Sequence, residues 1–202
     1  MKGLAVSKIY TGMQDEGMFY GHRAIFLNLL NLPEYPEGYD FQTPEQVALD
    51  IGMAGIQETK YLVVKDQSLM QWDNLIKMYN FLPPSKIEIQ TDGSVFDQKK
   101  VGALSGVHSL YYSIMPAKKL MKEWTTVNIP NVTVLFKFFV SDEKDVVRVS
   151  NFVHHYEIRT SDVYLIPNVQ DNEKLIPTLT EIFKLAVKYN MKASPKLCVL
   201  GA

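Results

Sequence analysis

Three groups of side chains carry atoms that could do chemistry. Gln14-Asp15-Glu16, taken with Asp40, offers hard oxygen ligands of the type that hold Mg²⁺. His154-His155 places two imidazoles side by side. Neighbouring side chains on a helix point in different directions, whereas metal ligands want i, i+3 or i+4 spacing. The pair therefore reads as helix-end histidines near the negative end of a dipole. Cys198 is the single cysteine of the chain. A thiol nucleophile needs a base within reach, and no residue near it in sequence supplies one. A buried or tail thiol is the expectation. No constellation of base, nucleophile and oxyanion donor emerges.

Binding chemistry is no better marked. Gln98-Lys99-Lys100 and Lys118-Lys119 with Lys122 add local positive charge between Phe96 and Pro130, a pattern that usually marks a solvated face. Tyr111, Tyr112, Trp124 and Phe136 could stack on nucleobases, but aromatics of this spacing belong more often to a core. A net charge of −1 gives no general pull toward nucleic acid or anionic membrane. With 202 residues, 47% hydrophobic and 21% charged, the chain can bury one substantial core, and residues 1–202 are expected to form a single domain. The apolar runs are strand-length, short of the ~20 residues that span a bilayer. The run Gly3-Leu4-Ala5-Val6 is too short for a secretory leader, so a cytoplasmic location and no membrane partner are expected.

The elements that must position these residues alternate. Ala24 to Leu30 and Tyr61 to Val64 are short, nearly continuous apolar runs, as in buried strands. Between them Thr43-Pro44-Glu45-Gln46 is a helix start: Thr43 can cap, Gln46 can reach back, and Pro44 needs no partner for a missing N–H. Trp72 to Leu82 predicts a second helix with Leu75, Ile76, Tyr79 and Leu82 as its stripe, ended by Pro83-Pro84. Lys86 to Gln90 alternates as a strand does, before the Asp92-Gly93 turn. Thr133 to Val140 predicts another strand. Ser141 is then expected to cap a helix buried through Val146, Val149, Phe152 and Val153. Asp162 to Ile166 follows as a strand. The helix from Leu175 to Tyr189 is expected to turn Leu179, Ile182, Phe183 and Val187 inward. The order predicts an α/β fold with a mainly parallel sheet and crossover helices.

Six stretches in the same order resemble 7-carboxy-7-deazaguanine synthase, a radical S-adenosylmethionine enzyme family. Ala5-Val6-Ser7-Lys8-Ile9-Tyr10-Thr11-Gly12-Met13-Gln14-Asp15-Glu16-Gly17, through Gly21 into Ala24 to Leu30, is similar to the family's opening IFxTxQGEGxxxGxPAVFxRxxGC. Leu62 to Gln71 resembles VVxTGGEPxLQ, and Ile87 to Ser94 resembles IxxETNGS. Leu135 to Val140 is similar to ELKxVV, Val163 to Pro167 to xxLQP, and Ser194 to Gly201 to QxHKxLG. The resemblance implies an incomplete (β/α) barrel.

The departures fall on the chemistry. The family carries a CxxxCxxC-like set of three cluster thiolates after its second conserved segment. Here Leu30 to Phe41 contains no cysteine, and an iron–sulfur cluster of this class is held by thiolates. No cluster and no other metal is therefore expected. Lys65, Asp66, Gln67 and Ser68 replace the GGEP loop that packs against S-adenosylmethionine, where side chains hinder close approach, so that cofactor is not expected either. Asn28 aligns with the arginine that meets the substrate carboxylate and lacks its cationic fork. Phe41 stands where a Mg²⁺-binding threonine is expected, and Cys198 where a histidine is.

What is left of a ligand site is Gln14, Glu16, Gly17, Asn28, Gln67, Thr91 and Gly93. Gly17 and Gly21 also read as architectural, at positions of positive φ. The implied function is a catalytically inactive, cluster-free relative acting as a protein-binding or scaffolding pseudoenzyme, as a homodimer or on another protein. The alternatives are a sensor retaining a pocket for a pterin, a purine nucleotide or S-adenosylmethionine, and a repurposed enzyme of 7-deazaguanine metabolism.

Overall fold

The computed structural model describes residues 3–30, 40–66, 69, 71–116, 120–169 and 172–196. Gln67, Cys198, Lys118, Lys119 and most of the stretch expected to carry cluster ligands lie outside them. The chain forms two compact units, residues 1–12 with 23–133, and residues 13–22 with 134–202.

The first unit holds β1 (Val6–Met13), apart from its last residue, with β2 (Arg23–Leu29), β3 (Tyr61–Lys65), β4 (Lys86–Thr91) and β5 (Ser109–Ile114). Strands β2 to β5 pair in parallel and in sequence order. Parallel neighbours need crossovers, supplied by α1 (Pro44–Met53) and the short α2 (Ile56–Thr59), then α3 (Trp72–Tyr79) and α4 (Gln98–Gly102). The α1 start forms as its sequence dictates, with Pro44 in the first turn and Thr43 Oγ1 accepting from the Gln46 N–H at 3.2 Å. The reciprocal half does not form: the Gln46 amide donates forward to Asp50 at 2.9 Å. One face of the sheet, through Ile25, Leu27, Leu62, Val64, Ile87, Ile89, Leu110 and Tyr112, is apolar and buried. It lies toward the helices, since Tyr112 meets the Trp72 ring and its hydroxyl donates to the Val101 carbonyl.

The second unit holds β6 (Val132–Val140), apart from its first two residues, with α5 (Glu143–His155), β7 (Val163–Pro167), α6 (Asn172–Lys188) and β8 (Lys192–Ala193). β6, β7 and β8 are parallel neighbours. The cap of α5 is Asp142, whose carboxylate accepts from the Asp145 N–H at 3.0 Å, one residue later than the serine expected. Ile182, Leu185 and Ala186 are the buried side of α6, which packs on β7 and β8. Phe183 and Val187, expected inward, are exposed. Period alone does not choose between two apolar stripes, and the sheet takes the one that includes Leu185 and Ala186. No described helix is long and apolar enough to cross a membrane.

Candidate functional site

In the second unit, residues 13–22 fold back on themselves. The Gln14 N–H donates to the His22 carbonyl and the Gly21 N–H to the Gln14 carbonyl, each at 2.8 Å. Gly17 and Gly21 supply the positive φ that this turn needs, 81° and 78°. The turn is tied to β6 and to the segment after β8. Glu16 and Lys137 are both buried, with Nζ 3.7 Å from Oε1. Ser194 Oγ accepts from the Gly17 N–H at 2.7 Å. A methyl group on Gly17 would stand 2.6 Å from Lys137 Cε, so the glycine lets the backbone lie against the lysine. Glu16 and Gly17 thus form one arrangement, with Lys137 as the partner that sequence reasoning missed. Its signal was a lysine within an otherwise apolar strand.

The polar face of the first unit is a different construction. Successive strand residues alternate between faces, so Tyr61, Glu88 and Ser113 share the side opposite the helices. The Tyr61 hydroxyl donates to Glu88 Oε2, while Ser113 Oγ at 2.7 Å and Gln90 Nε2 at 3.3 Å donate to Oε1. A buried carboxylate is tolerated when its oxygens are satisfied in this way. Burial above all, and then the charge and hydrogen bond of Glu88, push the Tyr61 hydroxyl pKa far above its ordinary value. None of these three residues was singled out from the sequence, although Lys86 to Gln90 was read as an alternating strand. The alternation carried the information, since it aims Glu88 at the side away from the apolar face.

One step along the strands, Asn28, Lys65, Gln90 and Ser113 occupy the same register level. They lie at or close to the carboxyl ends of β2 to β5, which is where open parallel sheets bind ligands. Asn28 Oδ1 is buried and accepts no hydrogen bond. Lys65 Nζ lies 5.4 Å from the centroid of the Phe26 ring, and that ring stacks on Tyr10 at 5.0 Å.

Thr91 and Gly93 belong to a turn. Thr91 Oγ1 accepts from the Gly93 N–H at 3.4 Å, and Gly93 has φ 73°. A methyl group on Gly93 would stand 2.7 Å from both Ile114 Cγ2 and Leu120 Cδ1. These two serve the packing. Of the four aromatics that could stack on nucleobases, Tyr112, Trp124 and Phe136 are buried in the core and Tyr111 is half-buried. His154 and His155 occupy the last turn of α5. Among the described residues no three His, Cys, Asp or Glu side chains converge as metal ligands.

No family model matches the sequence. The chain is 23% identical over 216 aligned positions to the 7-carboxy-7-deazaguanine synthase of Hyperthermus butylicus, covering 98% of this chain and 92% of that relative. The crystal structure of QueE from Escherichia coli superimposes with a TM-score of 0.58 at 15% identity, across 96% of this chain and 93% of that one. The radical S-adenosylmethionine enzymes use iron–sulfur clusters, and the donor set here does not fit one, because the whole sequence holds a single thiol. Shared α/β architecture and similarity along nearly the full length of both chains relate this protein to 7-carboxy-7-deazaguanine synthase, and its sequence holds one cysteine.

Proposed function

We propose that this chain is a catalytically inactive, cluster-free relative of 7-carboxy-7-deazaguanine synthase that works in the cytoplasm by binding protein, first of all a second copy of itself. The thiol count supports the absence of radical chemistry. The observation that carries the binding is on α6, where Ile176, Phe183 and Val187 are 64%, 44% and 82% exposed. Spacings of seven and four residues put them on one face. A helix already buried through Ile182, Leu185 and Ala186 gains nothing in its own fold from a second apolar stripe, and such stripes mark interaction surfaces. The stripe suits an antiparallel pairing with its own copy. A two-fold axis between Thr180 and Phe183 sets Ile176 of each chain against Val187 of the other, as self-complementary interfaces require.

Sedimentation velocity across a concentration series tests this. A dimer is expected, with Phe183→Lys and Val187→Glu giving monomers of unchanged melting temperature. A wild-type chain that stays monomeric at every concentration removes the self-association.

A second reading, a sensor that retains a small-molecule pocket, is favoured by the register level of Asn28, Lys65, Gln90 and Ser113. It calls for ligand-dependent thermal stabilisation, about 2.7 kcal/mol at a hundred times the dissociation constant.

A further inference from the structure

The end of α5 closes on a glutamate in a backbone state that side chains disfavour. Glu157 has φ 56°, in the left-handed region that glycine adopts without steric cost. The Glu157 N–H donates to the His154 carbonyl at 3.2 Å and the Ile158 N–H to the Val153 carbonyl at 2.9 Å, which are the paired bonds of a Schellman turn. Ile158 thereby folds back toward Val153, and both are buried. The returning chain and the last turns of α5 border a cleft of about 670 Å³, a size that takes a small molecule. Val153 and Ile158 supply its apolar lining, and His154, His155, Glu157 and Arg159 its polar one. The cleft lies within the second unit, at the amino end of β7.

Its charges lean to one sign. Arg159 Nε donates to Asp162 Oδ2 at 2.7 Å, so the guanidinium of the lining already has a carboxylate beside it. Glu157 adds a second carboxylate, and the end of α5 adds the negative pole of a helix dipole. The imidazoles of His154 and His155 each offer an acceptor nitrogen when neutral. Such a field favours a cation over an anion, and Val153 with Ile158 favours hydrocarbon. We propose that this cleft binds an aliphatic amine, with its ammonium on Glu157 and its methylene chain over Val153 and Ile158. A glutamate then stands where glycine is the easier residue because its carboxylate holds the ligand. The site is independent of association through α6 and of a pocket in the first unit.

Putrescine and 1,4-butanediol, equal in chain length and unlike in charge, test it by calorimetry at pH 8. Putrescine is expected to bind about tenfold tighter than the diol or more. Glu157→Gln keeps the size of the side chain and removes its charge, and should weaken putrescine binding about tenfold or more. Glu157→Gly should weaken it as much while the melting temperature stays at or above that of the wild type, because glycine relieves the left-handed backbone. That pairing of lost binding with retained stability separates a ligand contact from a structural one. Failure of putrescine to bind, equal binding of the diol, or an affinity for putrescine unchanged in Glu157→Gln overturns the proposal.

Discussion

Glycines test the residue-level account because their neighbours differ while their backbone does not. Gly17, Gly21 and Gly93 have φ values of 81°, 78° and 73°. An alanine pays for the left-handed backbone at each, about 1–2 kcal/mol. Nothing lies within 4 Å of a methyl group at Gly21, whereas at Gly93 it meets Ile114 and Leu120, and at Gly17 a buried lysine held by Glu16. Gly21→Ala is therefore expected to cost about 1 kcal/mol, and Gly17→Ala and Gly93→Ala about 2–4 kcal/mol each. Urea denaturation measures the three. Equal losses at all of them would mean that the contacts at Gly17 and Gly93 add nothing. The same residues show what the sequence could tell. The glycines of the first turn were legible as positive-φ positions because that requirement is local. The partner of Glu16 was not, because Lys137 is more than a hundred residues away and only tertiary packing brings them together.

At the scale of elements, the strands β2, β3, β4, β6 and β7 and the start of α1 were written in local pattern and capping chemistry. β1 and β5 were not. β1 has mixed exposure along its length, and β5 is the six-residue SLYYSI in a stretch where lysines and aromatics obscure the period. What fixes β5 is pairing with β4, information that lies outside its own residues. His108, just before β5, joins three elements. Its Nδ1 accepts from the Ser85 N–H at 3.3 Å ahead of β4, and its Nε2 donates to the Tyr79 carbonyl at 3.1 Å at the end of α3. The ring is neutral in this arrangement, since the Ser85 N–H needs an unprotonated nitrogen. Burial lowers its pKa below the ordinary value, and the Tyr79 hydrogen bond opposes this only in part. The unfolded chain therefore takes up the proton first as pH falls. The stability due to His108 is complete above about pH 6.5 and is lost as the pH drops toward the lowered folded value. Melting temperatures between pH 7.5 and 5 should fall for the wild type and fall less for His108→Gln. Identical slopes would assign the acid sensitivity to other groups.

At the scale of the whole molecule, one residue type bears on the chemistry more directly than the fold does. A likeness at 15% identity and a TM-score of 0.58 fixes architecture, and architecture carries many chemistries or none. Cysteine count acts differently, because the cluster of a radical enzyme is assembled on thiolates whatever the surrounding backbone. One thiol per chain gives two in the proposed dimer, still fewer than the three that the cluster set requires, and Cys198 lies near the opposite end of the sequence from Leu30 to Phe41, where that set is expected. Anaerobic reconstitution with iron and sulfide, followed by metal and sulfide analysis and an absorption spectrum, addresses this without any assay of turnover. The expected product is colourless, with iron well below one per chain and no dependence on Cys198, so that Cys198→Ser gives the same result. Stoichiometric iron and sulfide, with charge-transfer bands that disappear in Cys198→Ser, would show a cluster assembled by an unforeseen donor set and overturn the proposed inactivity. The same preparation separates the remaining readings. A cluster-free dimer without any ligand-dependent thermal stabilisation is expected of a scaffold, and a cluster-free chain stabilised by a pterin, a purine nucleotide or S-adenosylmethionine is expected of a sensor.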